Sequence, residues 1–195
     1  MGARWSVLPN LHYAYRKLAK TRFIYVAETN QCGAGIFAAR YFAAGQLILR
    51  DDDGDYYDGA INYAQVRALG IDMSRYCFQI DQDRFLLPHG SIDDLINHSC
   101  RPNAGIRLTA RGYDLLALSD IAVGDELTYD YSTYIASPER LSCCCGAADC
   151  RGEIGRFVDL NPRLQSYYIE RGVVGAFALA AKTPSEAAAT RRLAV

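Results

Sequence analysis

Four cysteines, Cys143, Cys144, Cys145 and Cys150, fall within eight residues on a short glycine-containing stretch. No other feature constrains the fold as tightly. The spacing Cys143-x-Cys145-x4-Cys150 supplies three thiolates, while tetrahedral zinc takes four soft ligands at Zn–S distances of about 2.3 Å. Cys144 is a poor fourth, because adjacent side chains on an extended loop point apart. The fourth ligand must come from elsewhere, and Cys32, Cys77 and Cys100 are the candidates. The competing reading is a set of reduced thiols with no metal. No run approaches the roughly 18 apolar residues that span a bilayer, and residues 1–9 lack a secretory apolar core. The expectation is therefore a reducing compartment, cytoplasmic if the source is bacterial, where cysteines serve as ligands or buried thiols rather than disulfides.

The rest of the chain reads as short strands first and helices last, a β-rich α+β class. Residues 22–27 form a β-rich run. Gly33 and Gly35 permit a tight bend, residues 35–39 resume apolar character, and a turn at 43–45 leads into a strand over 46–50. Residues 51–58 (DDDGDYYD) form an acidic loop, either a solvated surface or one that steers a basic segment. Ile61, Ala64, Ala68 and Leu69 recur at helical spacing and Gly70 stops the helix. Residues 76–87 are strand-like with a turn at 81–83. A hairpin closes around Arg111-Gly112, and a turn at 123–125 precedes 126–131. Asn161-Pro162 predicts a helix start and Gly172 its stop. Thr183 and Glu186 have capping-box spacing ahead of an alanine-rich helix. With 195 residues, this is one domain with room for an appended subdomain. A net charge of −1 gives no ground for attraction to nucleic acid or membrane.

Two further segments carry chemistry. Residues 95–103 (LINHSCRPN) pack polar side chains behind an apolar pair; alone, His98 reads as a structural histidine. Residues 125–131 (DELTYDY) place Tyr129 and Tyr131 two apart, on one side of an extended strand; alone, they read as aromatic core positions.

Together these pieces resemble the SET-domain family. The order is a Gly-x-Gly segment (CGAGIFA, 32–38), then Tyr76-Cys-Phe78, then Asn97-His-Ser-Cys100 with Pro102-Asn103, then GDELTYDY (124–131), then CxCGxxxCRG from Cys143 to Gly152, similar to the family's post-SET zinc motif. The resemblance implies several small curved sheets with a knot-like threading of the asparagine and tyrosine segments. It divides the chain into an N-terminal extension (1–21), the SET domain (22–134), the zinc motif (139–156) and a helical C-terminal segment (157–195). It implies S-adenosylmethionine as methyl donor and a protein lysine as acceptor, with a histone tail or other basic segment among the candidates. It names Cys100 as the fourth ligand beside Cys143, Cys145 and Cys150, a closed structural zinc site.

The residues it assigns to the cofactor are Gly33, Ala34, Gly35, Asn97, His98, Tyr131 and Cys144. Tyr131 is the tyrosine at the reaction centre, and Tyr76, or Phe78 beside it, lines the lysine channel. Tyr129, two before the reacting tyrosine, implies mono- or di-methylation, because its hydroxyl crowds the space for further methyls. The sequence also departs from the family. Asp94-Leu95 stands where Arg-Phe is usual, Phe85-Leu86-Leu87 replaces an Ile-Asp-Ala segment, and no cysteine-rich cluster precedes the domain. Two other readings stand beside an active enzyme: a degenerate module that binds a lysine-bearing partner, and a zinc-stabilised nucleic-acid binder, which the charge balance counts against. The C-terminal helices would cover the cofactor side or mediate a homodimer. An alanine- and arginine-rich chain without accessory regions is consistent with a bacterial source, and secretion would then open a host nucleus as a destination.

Overall fold

The structure, a computed structural model, describes residues 22–29, 33–52, 56–70, 77–88, 92–136 and 140–180. Glycine and Asx turns interrupt the apolar runs, so no strand among these residues exceeds six. The turns need the left-handed backbone that glycine tolerates; Gly45 and Gly124 sit at φ 82° and 88°. The result is five small sheets among the described residues.

Strands β1 (Ile24–Thr29) and β2 (Gly33–Ala38) form an antiparallel pair. The free edge of β2 receives the chain leading to the tyrosines: Leu127 N donates to Ile36 O at 2.7 Å and Ala38 N to Asp125 O at 2.9 Å. β3 (Leu47–Asp51), β7 (Ala104–Leu108) and β8 (Tyr113–Ala117) build the largest sheet, with β8 central. β4 (Phe78–Asp81) and β5 (Arg84–Leu86) form a hairpin. β6 (Asn97–His98) and β9 (Thr128–Tyr129) are two-residue strands that run parallel, Asn97 opposite Thr128 and His98 opposite Tyr129. β10 (Leu141–Ser142) and β11 (Glu153–Ile154) flank the cysteine loop. Ile36, Phe42, Ile106, Tyr113, Leu115, Ile121 and Leu127 fill the core at 1% exposure or less.

Helix α1 (Tyr63–Ala68) starts at Asn62, whose side chain accepts from Gln65 N while Gln65 Oε1 accepts from Asn62 N, a reciprocal cap. Its inward face differs from the sequence expectation. Ile61 is held in a bridge to Phe85, so the helix begins after it. Val66 is then the buried residue and Leu69 is 60% exposed. α2 (Pro162–Glu170) starts as expected: Asn161 Oδ1 accepts from Leu164 N at 3.0 Å. It ends before Gly172 at φ 64°. α3 (Ala176–Ala180) lies inside the C-terminal segment expected to be helical, at a place where the sequence marks no separate helix start. Gly175 N donates to Thr133 O, which moors it behind the tyrosine segment.

Two expectations need correction. The tyrosine strand ends at Tyr129, and residues Tyr131–Tyr134 form a 3-10 turn, because Asp130 caps it by accepting from Ser132 N. The acidic stretch is not all surface: Asp51 is buried at the end of β3, and Tyr56 is buried with its hydroxyl on Asp93 Oδ2. Residues 53–55, Cys32, Tyr76, the N-terminal extension and the helix expected after Thr183 lie outside the described residues. No helix among the described residues is long and apolar enough to cross a membrane.

The β7–β8 turn leaves no space beside Gly112. A Cβ there would lie 2.1 Å from the carbonyl oxygen of Asp51. Gly112→Ala should lower stability by about 1–3 kcal/mol, read as a shifted urea midpoint, since backbone cannot give way as a side chain can.

Candidate active site

The parallel crossing of β6 and β9 forms the floor of the site. Asn97 Nδ2 donates to Ala34 O at 3.0 Å and to Glu126 Oε1 at 2.7 Å. Both amide hydrogens are thereby committed within the protein, and Oδ1 is left for other partners. The close approach at Gly35 serves this pair: a Cβ would lie 2.5 Å from Glu126 Oε1 and 3.0 Å from Asn97 Nδ2. Gly33 is exposed, at φ 81°, and Ala34 is half-buried. Asn103 ties the same strands from the other side, donating to Glu126 O at 2.8 Å and accepting from Thr128 N at 3.0 Å.

Tyr129 and Tyr131 stay together although only the first is in a strand; their rings are 4.7 Å apart. Tyr131 is half-buried, and its hydroxyl donates to Ile96 O at 2.9 Å. With its proton directed there, the Tyr131 oxygen can present only lone pairs to a ligand. Tyr129 is buried, and burial above all, then its neighbour Tyr131, pushes its phenol pKa well up. It stays a protonated hydroxyl at any ordinary pH.

His98 lies between the tyrosines and the cysteines. Burial lowers its pKa to about 4, against the pull of Asp130, so the ring is neutral. Its 3.7 Å approach to Asp130 Oδ1 is therefore not an ion pair. Nδ1 accepts from Tyr131 N at 3.2 Å, which assigns the ring proton to Nε2. Nε2 faces Cys100 Sγ at 3.5 Å.

The cysteines converge. Cys143 Sγ is 3.7 Å from Cys100 Sγ and 3.7 Å from Cys150 Sγ, and Cys145 contacts Cys143 and Cys150. A tetrahedron with Zn–S of about 2.3 Å has S···S edges of about 3.8 Å, so these thiols fit a zinc ion. Donor atoms of His98, Cys100, Cys143 and Cys145 also lie within 4.8 Å of one another. A protonated Nε2 has no lone pair to offer, so within that group the three thiols are the available ligands and His98 is a donor to one of them; Cys150, 3.7 Å from Cys143, is a further thiol beside them. Cys144 points out to solvent, and Cys77 lies outside the cluster. Phe78 packs against Tyr134 in a tilted pair, ring centroids 4.9 Å apart.

Sequence reasoning missed one centre. Asp130 is 1% exposed, and its carboxylate accepts from Arg151 Nη1 and Nη2, both at 2.7 Å, from Ser132 N at 3.1 Å and from Tyr168 Oη at 3.1 Å. Burial of the guanidinium works against its charge, but Asp130 outweighs this and holds the Arg151 pKa above its usual range. The available signal was alternation: a residue between two tyrosines faces away from them, so an acid there implies a partner on the far side.

The SET domain pattern matches residues 33–132. Histone-lysine N-methyltransferase ATX2 of Arabidopsis thaliana is 32% identical over 155 residues, 73% of this chain and 14% of the relative. Histone H3-lysine(4) N-trimethyltransferase ATX1 of the same plant is 33% identical over 155 residues, again 73% and 14%. The chain thus spans about one seventh of the length of these relatives. A crystal structure of KRYPTONITE in complex with mCHG DNA and SAH is similar at TM-score 0.50 and 27% identity, covering 69% of this chain and 29% of that one. The shared fold is the β-rich, multi-sheet arrangement described above.

Plasma mass spectrometry of the purified chain should find one zinc ion per chain, and Cys145→Ser should cut this to well below half. Asn97→Ala should lower stability by about 1–3 kcal/mol in a denaturant melt, because Glu126 and Ala34 lose their shared donor.

Proposed function

The chain belongs to the SET domain family, and from that premise we propose that it transfers a methyl group from S-adenosylmethionine to a lysine side chain of a protein. The observation that carries the reading is Tyr131, half-buried at the strand crossing with its hydroxyl proton committed to Ile96 O. Relatives with this domain are named histone-lysine methyltransferases, which makes a histone H3 peptide the first substrate to test. The exposed acids Asp52 and Asp58 suit a basic segment, whereas buried Asp51 faces inward.

S-adenosylmethionine, when bound, supplies an electrophilic methyl group on a sulfonium. Gly33, Ala34, Asn97 and the backbone of His98 would hold it: the glycine leaves main chain open, and Asn97 retains Oδ1. KRYPTONITE was solved with SAH, the donor without its methyl group. The acceptor lysine must be neutral, since an ammonium has no lone pair, and its pKa in water is about 10.4. An apolar, aromatic channel favours the neutral amine by desolvation. The Tyr131 oxygen would accept from an amine N–H or from a polarised methyl C–H and so align the two. Cys100, Cys143, Cys145 and Cys150 would hold a structural zinc, with no open position for catalysis. Cys144, exposed beside them, would border the cofactor.

Tyr129 sets the number of methyls in this reading. Its protonated hydroxyl beside Tyr131 occupies space that a second or third methyl needs, so the product is mono- or di-methyl-lysine. ATX1 is named a trimethyltransferase, so the degree is a property to measure rather than to carry over. Tyr131→Phe should lower kcat by about 100-fold or more with donor affinity by calorimetry within about threefold, the pattern of an interaction made in the transition state. Full activity in that variant would remove Tyr131 from the mechanism. Tyr129→Phe should raise the methylation state seen by mass spectrometry, and a native enzyme yielding mainly trimethyl-lysine would contradict the assignment.

A further inference from the structure

Tyr131 is held at its hydroxyl by Ile96 O, at its backbone N by His98 Nδ1, and along the chain by its two neighbours. Those neighbours share one anchor. The Arg151 guanidinium takes the Asp130 carboxylate in two bonds of 2.7 Å and also lies 3.3 Å from Ser132 Oγ. Asp130 in turn accepts from Ser132 N. Residues 130 and 132 are therefore gripped on the side opposite the Tyr131 ring. Arg151 directly follows Cys150, and its own backbone N donates to Cys100 Sγ at 3.4 Å. The same residue thus belongs to the cysteine centre by its main chain and to the tyrosine turn by its side chain. Tyr168, on α2, completes the carboxylate from the C-terminal helix.

We propose that Arg151 and Asp130 are positioning residues for Tyr131, through which the cysteine centre and helix α2 fix the place of the reacting hydroxyl. The proposal rests on the reading that Tyr131 is that hydroxyl. Planarity of the guanidinium is essential, because two parallel bonds define the orientation of Asp130 where a single bond would let it turn. Lysine keeps the charge and loses that geometry. An ion pair with only a stabilising part would change the folded fraction and leave the folded enzyme's turnover alone.

The test uses the full, zinc-loaded chain with carbon-13-labelled tyrosine, the Tyr131 resonance being identified by its loss in Tyr131→Phe. Arg151→Lys should keep its fold and its zinc stoichiometry. It should move or broaden the Tyr131 resonance, speed zinc release to a chelator, and lower kcat on an H3 peptide about tenfold or more with KM within about twofold, in line with the cost of small misplacements. Tyr168→Phe, which removes one bond to the same carboxylate, should do the same more weakly. A wild-type Tyr131 resonance together with a kcat within about twofold in Arg151→Lys overturns the proposal, as does a loss that only tracks the folded fraction. If Arg151→Lys does not fold, Tyr168→Phe decides by the same two readouts. If Tyr131→Phe remains active, the functional reading fails, while the resonance and zinc-release measurements still judge the positioning.

Discussion

A buried carboxylate needs partners, and Asp130 determines where three parts of this chain must lie. It sits between two tyrosines, so the direction of its side chain fixes theirs. Its partners come from the loop after the last cysteine, from the turn it caps and from the C-terminal helix. Removing one partner of such a pair leaves a charge in a low-dielectric site, typically at a cost of about 3–5 kcal/mol. Even so, the pair gives more in geometry than in net stability. Apolar residues of equal size could fill the space, but they would not specify which way residue 130 faces.

The second constraint is the neutral His98. One ring nitrogen receives the Tyr131 amide and the other faces Cys100. The thiol cluster and the tyrosine are therefore joined twice, through an imidazole and through a guanidinium. A structural metal in this position would act on chemistry without touching substrate, by stiffening both bridges.

What could be read in the sequence was local chemistry. Asn161-Pro162 and Gly172 marked helix α2 because capping and its C-terminal glycine depend on adjacent residues. The cysteine triad is legible, and so is the need of a tetrahedral site for a distant fourth ligand; resemblance alone nominates Cys100, and the structure places its Sγ 3.7 Å from Cys143 Sγ. The parallel pairing of Asn97 with Thr128 has no local signature, since two-residue strands show no periodicity. Asp130 with Arg151 was hidden for a related reason: a pair across 21 positions leaves no mark in either neighbourhood. The face of α1 was misread because Ile61 matched the helical spacing but was claimed by a bridge to Phe85. The room that Gly35 leaves for Asn97 and Glu126 has no sequence signal either, since it depends on contacts 62 and 91 positions away.

The parallel strands β6 and β9 also set the order of assembly. Between them runs the β7–β8 hairpin, whose pairings are near in sequence and form early. A parallel pair cannot close through a tight turn; it waits until the intervening chain has folded back on itself. By the same measure the hairpin closes ahead of the crossing that carries Asn97, His98 and Tyr129, whose partners are 31 positions apart. Interactions that form late are absent from the transition state for folding, so changes there speed unfolding and leave the rate of folding nearly untouched. The site can vary in evolution with little penalty to the search for the native state, and that variation is felt instead in the lifetime of the folded molecule.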